Sequence, residues 1–371
     1  MPQKRERELE LLSGKILSGE FGAPGERFMT TRELMQFCGV SLVTAQRIMT
    51  SLKEKELVKL DGKQFYLSYG RIKKDSPLFK RRERSGLIGL HIVNLDNPYF
   101  SALGRAVEIA AHERGYEVVM SSSDYNVEEE RRALLLFEKL GADGVISCPS
   151  RGAEVREIYF RYRLPFVFLS SSVDGVDADR VLINNYIGGC NVAEHFIKNG
   201  YEHFMYIAPE TMKNKHDDRL NGFAGTLEKY GFFLTEDDIV YTDAHSRLLG
   251  NYVGHLLSIR KKPIGLFCYH DMLAAEAVRV CRQYGIAVPG DVGISGYDNL
   301  SILRDVVPSL TSVDYRINKL VSSAVELLIR RINGDCGQSE EIFIEPILTV
   351  RGSTSRLKQS ERENARRFIY E

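Results

Sequence analysis

The sequence predicts an α/β protein in which a small N-terminal winged helix-turn-helix precedes two doubly wound parallel α/β lobes. Three observations carry this prediction. The 371 residues exceed what one compact core normally holds, so two or three domains are expected. A helical periodicity and then a hairpin pattern occupy residues 1–69. From Gly86 onward, short apolar runs alternate with amphipathic helices, which is the pattern of βαβ units.

The N-terminal domain begins with two predicted helices. Apolar residues recur at helical spacing over residues 4–18. Several glycines and a proline then interrupt the chain. Thr30 and Glu33 form the pattern of a capping box, which predicts a short helix that ends at Gly39.

A third helix and a hairpin complete this domain. Ser41 can cap a helix over about residues 41–54, whose apolar residues share one inward stripe. Two β-rich runs, residues 57–60 and 64–67, flank a turn that contains Asp-Gly. Three helices closed by two strands make a winged helix-turn-helix.

The remainder of the chain predicts a linker, two lobes and a tail. Seven of the sixteen residues after position 69 are Lys or Arg, so this linker either lies near phosphates or is a solvated tether. The continuous apolar runs that follow predict parallel strands buried on both faces, too many for one sheet. Ligands of such sheets bind beyond the carboxyl ends of the strands. The predicted divisions are 70–85 for the linker, 86–187 with 312–333 for the first lobe, 188–311 with 334–356 for the second lobe, and 357–371 for a charged tail.

Composition favours a soluble protein with an uneven charge. No apolar run is long enough to span a bilayer, and the N-terminus lacks a signal-peptide core, so a cytoplasmic protein is expected. The six cysteines form no C-x-x-C pair and are expected to be reduced. Residues 1–85 hold 18 Lys and Arg against 11 Asp and Glu, although the whole chain is neutral. The basic N-terminal part favours a polyanionic partner.

Signatures of common enzymes are missing from the sequence. It contains no G-x-G-x-x-G, P-loop, H-E-x-x-H or G-x-S-x-G motif. The absence of motifs does not exclude an enzyme. No catalytic residue, metal site or cofactor is therefore predicted, and the chain is interpreted as a non-enzyme.

Several short motifs identify the relatives of the N-terminal domain. They are Leu17–Phe21 with Pro24-Gly25, Thr31–Leu34, Gly39–Ser41 with Thr44, and Leu52 through Val58. Together they resemble the GntR family of winged-helix regulators over nearly all of residues 5–69. Thr30-Thr31 stands where that family has Pro-Ser, and Leu42 stands where it has arginine. DNA binding is implied, but the family's operator sequence is not.

The third helix of a winged helix enters the major groove of DNA. Its outward Arg47 can donate to guanine O6 and N7 or to a phosphate. The helix amides beside Thr31 and Ser41 favour a phosphate oxygen, although both residues could serve as helix caps alone. An exposed residue without a DNA contact is the alternative for Arg47. The predicted DNA-binding residues are Thr31, Arg32, Ser41, Thr44, Gln46, Arg47, Ser51, Lys63 and Gln64.

Ordered motifs also run through residues 86–355. They are Asn97–Phe100, Asp143–Ile146, Arg219–Phe223, His270–Ala274, Val288–Val292, Gly296–Asn299, Leu310–Val313 and Arg351–Thr354. In order and spacing they resemble the LacI/GalR regulators and their sugar-binding relatives of the periplasmic binding protein-like type. A GntR-type head on such a body resembles the arabinose-responsive repressors of Gram-positive bacteria, without establishing arabinose as the ligand.

The resemblance implies a site for a polyhydroxylated effector. Arg219 corresponds to the family's main hydroxyl-binding arginine, whose fork suits two adjacent oxygens. Packing within a lobe is the alternative for Tyr99 and Phe100, and capping of the following helix is expected for Asp271. Ala244 stands where relatives often carry an aromatic residue. The predicted effector-binding residues are Asn97, Tyr99, Phe100, Arg219, His270 and Asp298.

The sequence is interpreted as a ligand-responsive, DNA-binding transcriptional regulator, a repressor that senses a sugar or related metabolite. The expected partners are double-stranded operator DNA, the effector and a second copy of the chain, with no membrane. Closure of the lobes on the effector is expected to alter the separation of the two heads in a homodimer. A stand-alone solute-binding protein and an α/β enzyme are the rival interpretations; the basic head disfavours the first.

Overall fold

The computed structural model describes residues 8–9, 11–13, 15–16, 21, 26–55, 57–62, 64–68, 84–150, 152–242, 247–303 and 305–355. The chain divides into two compact units. The first unit comprises Met1–Leu95, Val107–Arg180 and Ala324–Glu341. The second unit comprises Asp96–Ala106, Val181–Ser323 and Ile342–Glu371.

Two helices of the N-terminal part are described from end to end, α1 (Thr31–Cys38) and α2 (Leu42–Glu54), and strands β1 (Val58–Asp61) and β2 (Gln64–Leu67) follow them. The two strands pair antiparallel, with Asp61 opposite Gln64 and Val58 opposite Leu67. Lys63, predicted at the tip of this hairpin, lies outside the described residues. A helix-turn-helix followed by a two-stranded hairpin is therefore the geometry of this part.

Local hydrogen bonds explain where these helices begin. Thr30 Oγ1 accepts from the Glu33 amide at 3.3 Å, and Glu33 Oε2 accepts from the Thr30 amide at 2.7 Å. Ser41 Oγ accepts from the Thr44 amide at 3.3 Å. These bonds satisfy amides that the first turn of a helix leaves unpaired, so the predicted capping box and Ser41 cap are confirmed.

The core of the N-terminal part lies under α2. Ala45, Ile48 and Leu52 are fully buried, which confirms the predicted inward stripe. The described residues of the first predicted helix are helical, and their apolar side chains join the same core. The buried members are Leu9, Leu12, Ile16, Phe28, Leu34, Ala45, Ile48, Met49, Leu52, Leu57, Val58 and Leu67.

The rest of the chain alternates strands and helices. In order these are β3 (Leu87–Ile92), α3 (Pro98–His112), β4 (Glu117–Ser122), α4 (Val127–Leu140), β5 (Gly144–Ser147), α5 (Ala153–Arg161), β6 (Phe166–Leu169), β7 (Asp179–Ile183), α6 (Asn185–Lys198), β8 (His203–Pro209), α7 (Asp218–Lys229), β9 (Ile239–Thr242), α8 (Arg247–Ile259), β10 (Ile264–Cys268), α9 (Asp271–Gln283), β11 (Val292–Tyr297), β12 (Thr311–Asp314), α10 (Ile317–Ile332), β13 (Glu341–Ile344) and β14 (Ile347–Thr349).

The strands form two six-stranded sheets. Their orders are β13-β7-β6-β5-β3-β4 and β14-β12-β11-β10-β8-β9. The pairs β3–β4, β3–β5, β8–β10 and β10–β11 are parallel, whereas β14 joins β12 antiparallel. The predicted architecture of two parallel α/β lobes is confirmed. The predicted division placed residues 334–356 wholly in the second lobe, but β13 lies at the edge of the first sheet and only β14 joins the second.

Among the described helices, none combines the length and the apolar character needed to cross a bilayer.

Candidate functional site

Arg219 occupies the first turn of α7 in the second unit. Asp217 caps this helix, because its Oδ1 accepts from the Arg219 amide at 3.0 Å and from the Leu220 amide at 3.3 Å. The Tyr206 hydroxyl, on the buried strand β8, donates to Asp217 Oδ2 at 2.8 Å. The cap is thus attached to the sheet, which sets the position of the arginine near the carboxyl ends of the strands.

Aromatic rings surround the guanidinium of Arg219, which is only 8% exposed. Its Cζ lies 3.9 Å from the ring centroid of Tyr297, 4.3 Å from that of Tyr269 and 5.7 Å from that of Tyr315. Nε donates to Asn185 Oδ1 at 3.1 Å, Nη1 to the Tyr269 carbonyl, and Nη2 to the Tyr315 hydroxyl at 2.5 Å. Stacking and hydrogen bonds together hold this buried cation in one orientation. We call Arg219, Asn185, Tyr269, Tyr297 and Tyr315 the arginine cage.

Two glycines allow the backbone that carries Arg219 to approach α6 closely. A Cβ on Gly189 would lie 2.1 Å from the Arg219 carbonyl oxygen, and a Cβ on Gly222 would lie 2.0 Å from the Tyr186 carbonyl oxygen. Both distances are far below a van der Waals contact and both involve backbone atoms. No larger residue fits at either position without moving one helix away from the other.

We expect Gly222→Ala to destabilise the protein by about 1–3 kcal/mol, because overpacking forces a backbone shift. The same shift displaces Arg219 and should weaken effector binding. Gly225→Ala is the matched control in α7, since its Cβ would meet only the Tyr186 hydroxyl, at 3.4 Å. Urea unfolding checks the prediction. Equal midpoints for Gly222→Ala and the wild type would show that α6 and α7 can move apart without loss of folding free energy.

Asp298 follows β11 directly and lies in the same cluster. It has φ of 112°, a conformation that few residues other than glycine adopt, and its amide donates to the Val313 carbonyl at 2.9 Å. Burial raises the pKa of its carboxyl group to about 8, although the Arg219 cation opposes the shift. A buried carboxyl group that retains its proton near neutrality can both donate to and accept from a ligand hydroxyl.

The raised pKa of Asp298 predicts a pH dependence of stability. An unfolded chain loses this proton near pH 3.9, whereas the folded protein keeps it until about pH 8. The folded state therefore binds more protons over this interval, and stability falls as the pH rises through it. Asp298→Asn has no proton to lose, so its stability relative to the wild type should increase from pH 5 to pH 8 by at most about 1.4 kcal/mol per pH unit. Urea titrations at several pH values measure this difference, and a constant difference would contradict the prediction.

His270 caps α9 in the same unit. Its Nδ1 accepts from the Leu273 amide at 3.2 Å, so Nδ1 is unprotonated. Burial, with a contribution from the Arg219 cation, lowers the pKa of the imidazole to about 4. His270 is accordingly a neutral group near Arg219, and its role in capping is a function that the sequence did not predict.

The expectation that Asp271 caps this helix is wrong. Its Oδ2 accepts from the Leu300 amide at 2.8 Å, and its Oδ1 accepts from the Ser312 hydroxyl at 2.6 Å. His270 has the extended backbone of an N-cap residue, whereas Asp271 is already helical. The Asp271 carboxylate instead joins the segment after β11 to β12.

Of the two predicted aromatic residues of α3, Tyr99 contacts the arginine cage and Phe100 contacts Tyr99. The buried Tyr99 ring lies 4.8 Å from the Tyr315 ring and 5.1 Å from the Phe100 ring. Asn97 Oδ1 accepts from the Tyr99 amide at 3.0 Å, which fixes the start of α3. Tyr99 therefore packs against Tyr315 of the arginine cage. Phe100 packs on Tyr99, and the hydrogen bond from the Tyr99 amide to Asn97 fixes the position of Tyr99.

Four cage residues were not predicted: Asn185, Tyr269, Tyr297 and Tyr315. Tyr269 directly follows the buried strand β10, and Tyr297 is the last residue of the buried strand β11. Ligands of such sheets bind at these strand ends. Aromatic residues at the ends of the predicted strands could therefore have identified both tyrosines as candidate site residues. Tyr315 follows β12, and its contact with Arg219 depends on the strand order rather than on any local pattern.

The predicted DNA-contacting residues cluster around α1, α2 and β2. Ser41 Oγ and Thr44 Oγ1 lie 2.9 Å apart, so these hydroxyl groups bind each other. Gln64 Nε2 donates to the Phe28 carbonyl at 3.3 Å, which gives this side chain a structural partner. The exposed members are Arg32, Ser41, Gln46 and Arg47, and the partly buried members are Thr31, Thr44, Ser51 and Gln64.

Comparisons with known proteins agree with this architecture. A family model described as a periplasmic binding protein-like domain matches residues 193–354. The HTH-type transcriptional repressor PurR of Actinobacillus pleuropneumoniae is 27% identical over 275 residues, which cover 73% of this chain and 82% of PurR. The HTH-type transcriptional regulator DegA of Bacillus subtilis is 25% identical over 335 residues, which cover 88% of this chain and 98% of DegA.

A solved structure is similar as well. It is a periplasmic binding protein/LacI transcriptional regulator from Alkaliphilus metalliredigens complexed with D-xylulofuranose, with a TM-score of 0.62 and 25% identity. The match covers 73% of this chain and 99% of that chain. These similarities support the effector domain and the class of regulator. They do not show which type of helix-turn-helix the N-terminal head has.

Proposed function

We infer that the chain is a ligand-responsive transcriptional repressor of the LacI type in its body, with a periplasmic-binding-protein-like effector domain behind an N-terminal DNA-binding head. Its effector, we propose, is a sugar or a closely related polyhydroxylated metabolite. The arginine cage is the observation that supports this assignment most strongly. A DNA partner implies a cytoplasmic protein.

The arginine cage suits vicinal hydroxyl groups. The three hydrogen bonds of Arg219 use three of the five N–H groups of a guanidinium, so two remain for a ligand. Asp298 adds a carboxyl group, and the rings of Tyr269 and Tyr297 hold the guanidinium in the orientation from which it can donate to a ligand. The similar regulator from Alkaliphilus metalliredigens is complexed with D-xylulofuranose, a polyhydroxylated molecule of this kind.

The head is proposed to be a winged helix of the GntR type, with α2 as the recognition helix and the β1–β2 hairpin as the wing. Its support is the helix-turn-helix followed by an antiparallel hairpin. Arg47 and Gln46 are exposed on α2, where they can reach base edges in the major groove. The positive surplus of residues 1–85 favours the phosphates on either side of that groove.

The response requires that the effector binds the DNA-competent and the DNA-incompetent conformations with different affinities. Two heads in a homodimer would meet two half-sites, and an effector-dependent change in their separation would alter operator affinity. By thermodynamic linkage, operator DNA must then change effector affinity by the same factor.

A thermal-shift screen of pentoses, hexoses and their acids tests the effector assignment, because a ligand selective for the folded state raises the melting temperature. At least one sugar should raise it in a concentration-dependent manner. Selection of random duplexes on the immobilised protein tests the DNA assignment, and retention should fall steeply with salt. A sugar response without DNA retention would indicate a solute-binding protein, and turnover of the sugar would indicate an enzyme.

A further inference from the structure

The outward face of α2 is apolar at its beginning. Each residue of an α-helix advances by about 100°, which places Leu42, Gln46, Val43 and Arg47 within one sector of about 140°. The opposite sector holds the buried core side chains of this helix, namely Ala45, Ile48, Met49 and Leu52. Leu42 is 44% exposed and Val43 is 58% exposed. Two neighbouring aliphatic side chains therefore open the face that continues with glutamine and arginine.

The polar groups nearby are already engaged within the helix. The Ser41 and Thr44 hydroxyls bind each other at 2.9 Å, and Ser41 Oγ also accepts from the Thr44 amide. Thr50 Oγ1 donates to the Gln46 carbonyl at 3.0 Å. The first turn of α2 therefore presents the hydrocarbon of Leu42 and Val43 beside a pair of hydroxyl groups that already bind each other.

A DNA major groove matches this face better than an apolar protein surface does. Gln46 and Arg47 share the sector with Leu42 and Val43 and are exposed, and residues 1–85 carry a surplus of seven basic over acidic residues. The major groove offers base-edge donors and acceptors between two rows of phosphates. It also offers one apolar group, the C5-methyl group of thymine.

We propose that Leu42 and Val43 determine sequence specificity by packing against thymine methyl groups, next to the base pair that Arg47 contacts. This proposal rests on the proposed function, because it requires that α2 binds in the major groove. It assigns an A·T pair to the part of each half-site that faces the first turn of α2. The preference arises from apolar burial and not from hydrogen bonding.

Replacement of thymine by uracil isolates the methyl group, since uracil keeps every hydrogen-bonding atom of thymine. The protein first selects duplexes from a random pool, and the bound sequences are then prepared with uracil at each conserved thymine in turn. Removal of a contacted methyl group should lower affinity by about fourfold, the equivalent of one buried methylene group. Leu42→Ala and Val43→Ala should bind the thymine duplex more weakly and lose most of the discrimination against uracil.

Leu11→Ala is the matched control, because Leu11 is a 50% exposed aliphatic residue in the same N-terminal part but outside α2. It should discriminate between thymine and uracil as the wild type does. If the wild type binds its selected duplexes but tolerates uracil at every thymine, the proposal is overturned while DNA binding stands. If no duplex is selected, both the proposal and the DNA-binding function fail.

Discussion

Replacement of Arg219 by lysine is expected to lower effector affinity by about 30- to 100-fold, which corresponds to the loss of one charge-assisted hydrogen bond. Lysine keeps the positive charge but loses the planar fork that stacks on Tyr297 and Tyr269 while it donates in several directions. Isothermal titration with the sugar that gives the largest thermal shift measures the effect. DNA affinity without effector should stay within about threefold of the wild-type value.

Arg279→Lys is the control for this substitution. Arg279 is an exposed arginine of the second unit that pairs with Glu276 three residues earlier in α9, outside the arginine cage. Its effector affinity should match that of the wild type. Unchanged affinity in Arg219→Lys, with a normal melting temperature for the unliganded variant, would remove the arginine cage from the effector site.

Replacement of Arg47 by alanine is expected to weaken binding to the selected duplex by at least about fivefold, because a bidentate contact to guanine contributes about 1–3 kcal/mol. The exposed position of Arg47 on α2 predicts little change in folding stability. Effector affinity should be unaffected. Fluorescence anisotropy at fixed ionic strength provides both the wild-type and the variant affinities.

A general loss of positive charge must be separated from the loss of a specific contact. Arg132→Ala removes an exposed arginine of α4, where it is paired with Glu129 at 2.6 Å. This variant should bind the duplex as the wild type does. If Arg47→Ala and Arg132→Ala bind DNA equally well, α2 is not the recognition helix.

Local sequence patterns predicted those features that local interactions decide. The capping box at Thr30 and Glu33, the Ser41 cap and the inward stripe of α2 each depend on residues within one or two turns. The alternation of apolar runs and helices predicted the parallel sheets, because strands buried on both faces need continuous apolar sequence. Arg219 and Asp298 were predicted through the resemblance, and the structure places both in one buried cluster.

Features that depend on distant segments were not predicted. Tyr315 follows β12, and its hydroxyl reaches Arg219 only because the order of the strands brings the two segments together. The separation of β13 from β14 into different sheets likewise has no signal in the local pattern. His270, and not Asp271, caps α9, because the Asp271 carboxylate accepts hydrogen bonds from the Leu300 amide and the Ser312 hydroxyl, both distant in sequence.

The coupling between effector and DNA is the central claim, and one measurement tests it directly. The affinity of the wild-type protein for a selected duplex is determined with and without a saturating concentration of the stabilising sugar. A change of at least about fivefold is expected, the lower range of allosteric coupling, and the duplex should change sugar affinity by the same factor. An identical DNA affinity in both conditions would contradict the assignment of this chain as a ligand-responsive regulator.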